Sequence, residues 1–204
     1  KAKKERKKIT EIKLLKEKPL EEGIIVNGEV KNKSAFIKTL GDFLKETKPT
    51  VRYAVVSILS NNIYSRLYSF PKTVTSEKLE DTMNLTIGFQ LPVKPEDVYL
   101  DWEKVDGEKN EIFLATIPKP IINDYMEVLT AAGLRTVAVE FYPMSISRAI
   151  GLPGKGAFLI IIANKENACA FVLDGNSIKL NRFIPMEFLE SETGKIVDFY
   201  EAEN

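Results

Sequence analysis

Three apolar stretches in the last third of the chain constrain its fold most. Ala157–Ala163 is apolar at every position, Ala168–Leu173 nearly so, and Ser177–Ile184 follows at once. They are joined by Asn164-Lys165-Glu166-Asn167 and by Asp174-Gly175-Asn176, both rich in turn-forming residues. A parallel pair needs a crossover of a dozen or more residues, so these strands form an antiparallel meander. Upstream, Tyr53-Ala54-Val55-Val56 is a similar run and predicts a strand buried on both faces. Between them the pattern changes. Ile63–Phe70 alternates and stops at Pro71, and a helix opened by Ser76 carries Leu79, Met83, Ile87 and Leu91 at four-residue spacing. Val98, Leu100 and Trp102 share one strand face, Asp106-Gly107 is hairpin chemistry, and Glu111–Ile117 returns as the partner. The order strand, helix, strand, strand describes an α+β unit of about 55 residues, small enough to lean on a neighbour.

The remaining segments read as helices with short strands. Two strands fall within Ile9–Lys33, with Gly23 and Gly28 near their turns. Ser34 is placed to cap a helix whose apolar face is Phe36, Ile37, Leu40, Phe43 and Leu44. A second helix begins near Pro120, buries Ile121, Ile122, Tyr125 and Leu129, and is capped by Gly133. Thr136–Phe141 is a short strand, and Pro143–Ile150 a helix closed by Gly151. Gly151, Pro153, Gly154 and Gly156 form the clearest linker. Lys155 lies between glycines and breaks the P-loop spacing, so this cluster reads as a hinge.

Composition narrows the chemistry. The 204 residues include no histidine, which excludes Ser-His-Asp and Cys-His catalysis and imidazole metal sites. The single cysteine, Cys169, sits mid-strand between alanines and reads as an inert buried thiol in a reducing compartment. Acids and bases balance at 29 each, so no overall field points to nucleic acid. Charge is nonetheless uneven: residues 1–18 carry nine Lys/Arg against three Glu, residues 187–204 six acids against one lysine. The basic arm reads as a solvated leader, with anionic lipid or nucleic acid as the alternative. No apolar run approaches a membrane span, and the lysine-rich start is unlike a signal peptide. A soluble, intracellular, non-catalytic protein is expected, and both ends read as cut.

Two groups of side chains invite a functional reading. Tyr64, Arg66, Tyr68 and Phe70 alternate onto one strand face, either as a ledge for an apolar peptide or as packing against the helix of Leu79, Met83 and Ile87. Trp102 reads as a core anchor or a partner contact. Asp101 and Glu103 face away from Leu100 and Trp102; with no nucleophile nearby they read as solvated carboxylates rather than an acid/base pair.

Several segments in order, over about residues 20–204, resemble the PilM family of type IV pilus assembly proteins, relatives of FtsA within the actin-like ATPase fold. They are Glu22-Gly23-Ile24-Ile25 with Asn27-Gly28-Glu29-Val30, then Leu100-Asp101-Trp102, Ala131-Ala132-Gly133-Leu134, Asp174-Gly175 leading into Arg182-Phe183-Ile184-Pro185, and Asp198-Phe199-Tyr200-Glu201-Ala202. The resemblance implies an α/β actin-like (ribonuclease H-like) lobe with an α+β insertion, the strand-helix-strand-strand (SHS2) subdomain called 1C. The expected division is a partial lobe 1A at 1–62, the 1C-like insertion at 63–134, a return to lobe 1A with the linker at 135–156, and the start of lobe 2A at 157–204.

The same resemblance implies a cytoplasmic adaptor of a pilus or related secretion platform, peripheral to the inner membrane. Its partner would be the N-terminal cytoplasmic tail of a bitopic inner-membrane protein, held between 1A and 1C, with Tyr64, Arg66, Tyr68, Phe70 and Trp102 as the candidate contacts. Nucleic acid is not expected; homo-oligomerisation stays open. Family members bind ATP with magnesium. Here the second-lobe phosphate turn, Asn164, Lys165, Asn167 and Ala168, departs from the family's Asp-x-Gly and Thr/Ser pattern, with Ile162, Asn164 and Ala168 at those positions. The turn therefore reads as vestigial, with no cofactor, metal or catalysis expected of this chain. The alternatives are an ATP-binding actin-like filament protein and an FtsA-like division tether; the acidic C-terminal segment suits anionic lipid poorly.

Overall fold

The computed structural model describes residues 12–71, 73–74, 78–79, 81–83, 85–86, 91–105, 110–152, 156–175 and 177–203. The lysine arm, Ser76, Ile87, the Asp106-Gly107 turn, Asn176 and residues 153–155 of the Gly151–Gly156 linker lie outside them. In chain order the elements are β1 (Ile25–Val26), β2 (Glu29–Val30), α1 (Lys33–Thr47), β3 (Tyr53–Ile58) and β4 (Tyr64–Phe70). Helical residues at 78–79, 81–83 and 85–86 are labelled α2. Then come β5 (Val98–Lys104), β6 (Asn110–Pro118), α3 (Lys119–Ala131), β7 (Arg135–Phe141), α4 (Tyr142–Ile150), β8 (Ala157–Ala163), β9 (Asn167–Asp174), β10 (Ser177–Pro185) and α5 (Leu189–Glu203). Among the described residues no helix is long and apolar enough to cross a membrane.

The β1–β2 hairpin turns on Asn27 and Gly28, both at positive φ (53° and 80°), as a two-residue type I′ turn requires. Glycine is needed at the second position for another reason. A Cβ there would sit 2.2 Å from the Leu59 carbonyl oxygen and 2.6 Å from Ser60 Cβ. The buried Ser60 hydroxyl donates to the Asn27 carbonyl at 3.2 Å and accepts from the Asn62 amide at 3.2 Å. The hairpin is thereby pinned to the segment leading into β4.

Helices α1 and α3 lie together on one face of a parallel pair, β3 and β7. Val30, Ile58, Ile121, Tyr125, Val128 and Leu129 form the core there, with Phe36 edge-on to Tyr125 at 6.1 Å. The α1 cap is Asn32, whose Oδ1 accepts from the Ala35 amide at 3.0 Å. Ser34 does not cap it, because the helix already begins at Lys33 and Ser34 is inside the first turn. Gly133 (φ 83°) ends α3 as expected: its amide donates to the Thr130 carbonyl and that of Leu134 to the Leu129 carbonyl. The expectation that Tyr53–Val56 is buried on both faces does not hold. Tyr53 and Val55 are 61% and 60% exposed, because α1 and α3 cover only the face of Val56 and Ile58.

The segment from β4 to β6 forms its own three-stranded sheet, in the order β4-β6-β5 with both outer strands antiparallel to β6. Alternation sorts its side chains cleanly. One face carries Tyr64, Tyr68, Phe70, Leu100, Trp102 and Leu114, packed with Leu79 and Met83 of α2. The other carries Ser65, Leu67, Phe113, Ala115, Asp101 and Glu103. Helix α3, although expected within the 63–134 unit, turns its buried side chains to the α1 and β3–β7 core.

The last three strands form the expected meander, β8-β9-β10. β9 is central and covered on both faces. Cys169, Phe171 and Leu173 meet Phe113 and Phe141 on one side. Ala170 and Val172 meet Ile184 and Ile196 of α5 on the other. Burial pushes the Cys169 thiol up to about 11. Polar links tie this sheet to the β4-β6-β5 sheet: Lys179 donates to the buried Glu111 carboxylate at 2.8 Å, and the Ser65 hydroxyl to Asn181 Oδ1.

Candidate functional site

A groove of about 500 Å³ separates the β4-β6-β5 sheet from the β3–β7 pair and α4. The walls are segments of the two sheets and of α4. On one side β5 and β6 present the face opposite α2, contributing Tyr99, Asp101, Glu103, Ala115 and Ile117. On the other side stand Ala138, Glu140 and Phe141 of β7, with Met144 and Arg148 of α4. Ile58, Ile63 and Ile122 complete an apolar floor. β5 pairs only with β6 and β7 only with β3 among the described residues, so each wall ends in a free strand edge.

The rim is charged, and its two sides differ. The Glu140 carboxylate is held by the Arg148 guanidinium and accepts from Ser145 Oγ at 2.8 Å, while Ser57 and Ser145 hydroxyls pair at 2.9 Å. That wall is locally neutral. Asp101 Oδ1 accepts only from the neighbouring Trp102 amide, at 2.9 Å, and neither Asp101 nor Glu103 has an ion-pair partner among the described residues. Tyr99 closes one end, its hydroxyl donating to Asn123 Oδ1 at 3.0 Å. Lys119 stands 5.9 Å from the Tyr99 ring and donates to the Glu96 carbonyl at 2.7 Å. Such a trough, apolar below with polar groups at its lip, suits a segment of extended chain better than a compact metabolite.

The five residues proposed from sequence as partner contacts lie elsewhere. Tyr64, Tyr68, Phe70 and Trp102 belong to the α2-side core, and Arg66 stacks its guanidinium 5.2 Å above Tyr68. None of them lines the groove. The packing alternative describes this face, because α2 supplies Leu79 and Met83 directly against it. Sequence reasoning did find Asp101 and Glu103, as a pair on the opposite side of β5. It missed Tyr99, Ala138, Glu140, Met144 and Arg148, whose shared position comes from the approach of two separate sheets.

The turn between β8 and β9 borders a second, wider cleft of about 930 Å³ beneath the β1–β2 hairpin. Asn164, Asn167, Asn181 and Arg182 line it, together with Ile162 and Gly28. A phosphate site there would need free backbone N–H donors. Instead Asn164 Oδ1 accepts from both the Glu166 and Asn167 amides, each at 2.8 Å, and the Asn164 amide donates to the Asn167 carbonyl at 2.9 Å. Ile162 offers no carboxylate for magnesium waters and the buried Ala168 no hydroxyl; Lys165 remains as an exposed cation. These residues do not fit a nucleotide phosphate or its metal ion. Arg182 is engaged by Glu192 at 2.6 Å, and Lys195 with Arg182 holds that carboxyl below the usual range.

A family model described as type IV pilus assembly protein PilM matches residues 1–163. No curated protein matches significantly. Among solved structures, the fold is similar to a chain of a "PilM-PilN type IV pilus biogenesis complex", with a TM-score of 0.67 and 20% identity over 82% of this chain. The present chain spans 52% of that one. It is also similar to the cytoplasmic domain of EpsL, an inner-membrane component of the type II secretion system of Vibrio cholerae, with a TM-score of 0.53, 12% identity, and coverage of 75% of this chain and 58% of that one.

Proposed function

Since the chain belongs to the type IV pilus assembly protein PilM family and carries the actin-like α/β fold expected of it, we propose that it serves as an adaptor, holding the N-terminal cytoplasmic tail of a bitopic inner-membrane pilus protein in the groove between the β4-β6-β5 sheet and β7. The observation that carries this reading is the groove itself: an apolar trough between two free strand edges, with a polar lip. An extended peptide added to a free edge gains main-chain hydrogen bonds, and the trough receives its alternate side chains. The similarity to a PilM-PilN complex supports the kind of partner. In this reading the chain works on the cytoplasmic side of the membrane through that partner, and the insertion runs from β4 to β6, with α3 belonging to the lobe of α1 and β3.

The adaptor role needs no nucleotide chemistry from this chain, and the Asn164-filled turn supports binding without ATP hydrolysis. The test is fluorescence anisotropy with a labelled synthetic peptide of the PilN-type partner's cytoplasmic tail. Saturable binding is expected, abolished by Ala138→Trp, which fills the groove from an exposed β7 position. Absence of binding, or binding indifferent to Ala138→Trp, would overturn the reading.

A further inference from the structure

The walls of the groove are electrically unequal, and this bears on what lies in it. Glu140 is neutralised by Arg148 on the β7 side. Asp101 and Glu103 stand on the other side, exposed, two residues apart on one face of β5; Arg148 lines the same groove but is paired with Glu140, and neither carboxylate has an ion-pair partner among the described residues. Lys104 alternates to the opposite face, so it does not neutralise the pair from within the strand. Lys119, at the Tyr99 end, is engaged with the Glu96 carbonyl. Two carboxylates at the lip of an apolar trough cost little when empty, because water reaches them. They penalise an occupant that covers them without supplying positive charge.

Resting on the tail-binding reading above, we infer that the groove selects a cationic tail: an extended segment lying along the free edge of β5, with Lys or Arg at two positions two residues apart, facing Asp101 and Glu103. Directly opposed residues on neighbouring strands approach within about 5 Å at Cβ, close enough for a cross-strand ion pair. The period of two that puts both carboxylates on one face puts both cations on the matching face of the added strand. The residue between them turns to the side of Leu100 and Trp102, where an apolar side chain fits.

The experiment compares the tail peptide with copies in which its Lys/Arg are replaced by Gln, or by Glu, against the full chain and the Asp101→Asn/Glu103→Gln variant. Two exposed pairs are expected to be worth roughly a tenfold change in Kd, shrinking as salt is raised. The neutral variant should lose that factor and its salt dependence; Asp101→Lys/Glu103→Lys should recover binding only with the Glu-substituted peptide. A tail without two basic residues in this spacing, or a Kd unchanged within twofold in the neutral variant while Ala138→Trp still abolishes binding, overturns the charge selection and leaves the adaptor reading standing. Failure of every peptide to bind removes both.

Discussion

The two faces of the β4-β6-β5 sheet are built from the same three strands and end in opposite fates. The face toward α2 carries four aromatic rings and closes into a core whose central members, Leu114, Ile112 and Met83, have no exposed surface. The other face mixes Ser65, Ala115, Asp101 and Glu103 with the bulkier Leu67 and Phe113, and is shared out. Its β4 half packs under the meander through Phe113 and the Glu111–Lys179 pair, and its β5 half is left as a groove wall. The α2 face is bulky throughout and closed by its own helix. The opposite face is mixed: bulky Leu67 and Phe113 sit where the meander packs, and the small Ala115 and the ionised Asp101 and Glu103 where the groove stays open.

Several measurements sharpen or break this contrast. The largest effect is expected for Leu114→Ala, which empties a fully buried site on the α2 face and should cost about 3–4 kcal/mol in a urea titration; a loss below about 1 kcal/mol would mean that face is not a core. Next is Glu111→Ala on the opposite face. It strands Lys179, which keeps a little solvent contact, so about 2–3 kcal/mol is expected, largely recovered when Lys179→Met is added. Equal stabilities of the single and double variants would show the pair does not join the sheets.

A chemical probe reports whether the β4 half is closed. With its thiol pushed from 9.0 to about 11 by burial, Cys169 should react with a thiol reagent at pH 8 about 100-fold more slowly than in the unfolded chain. Because the folded value lies above the unfolded one, the associated stability is present below pH 9 and is lost as pH rises through about 11. Rapid native-state labelling would place an opening at the sheet–sheet contact. The smallest effect belongs to the groove wall: Asp101→Asn and Glu103→Gln should each leave stability within about 0.5 kcal/mol of the parent by thermal melting.

Much of the fold was legible because local chemistry left one solution. Short connections forced the meander, an Asn-rich turn and an Asp-Gly turn separated its strands, and Gly133 and Gly151 ended their helices at positive φ. The Asn32 cap escaped because Ser34 offers the same hydrogen bond two residues on, and only the helix start distinguishes them. Tyr53–Val56 and Ala168–Leu173 look alike as strings, yet β9 is covered twice and β3 once, since covering depends on what stands beside a strand. The groove was hidden for the same reason. Alternation assigned Asp101 and Glu103 to the correct side of β5, but nothing local says that β7 and α4 stop short of them. The residue types of the β8–β9 turn were visible in the sequence; that Asn164 itself occupies the Glu166 and Asn167 amides is a matter of rotamer and loop closure.

The register of β4 against β6 sets Tyr64 opposite Thr116. The polypeptide therefore departs from its host and comes back at neighbouring rungs of one ladder, like a drawer hung on a single rail. A module with doorposts so close together can be lengthened, traded or removed through a brief splice while the surrounding framework keeps its shape.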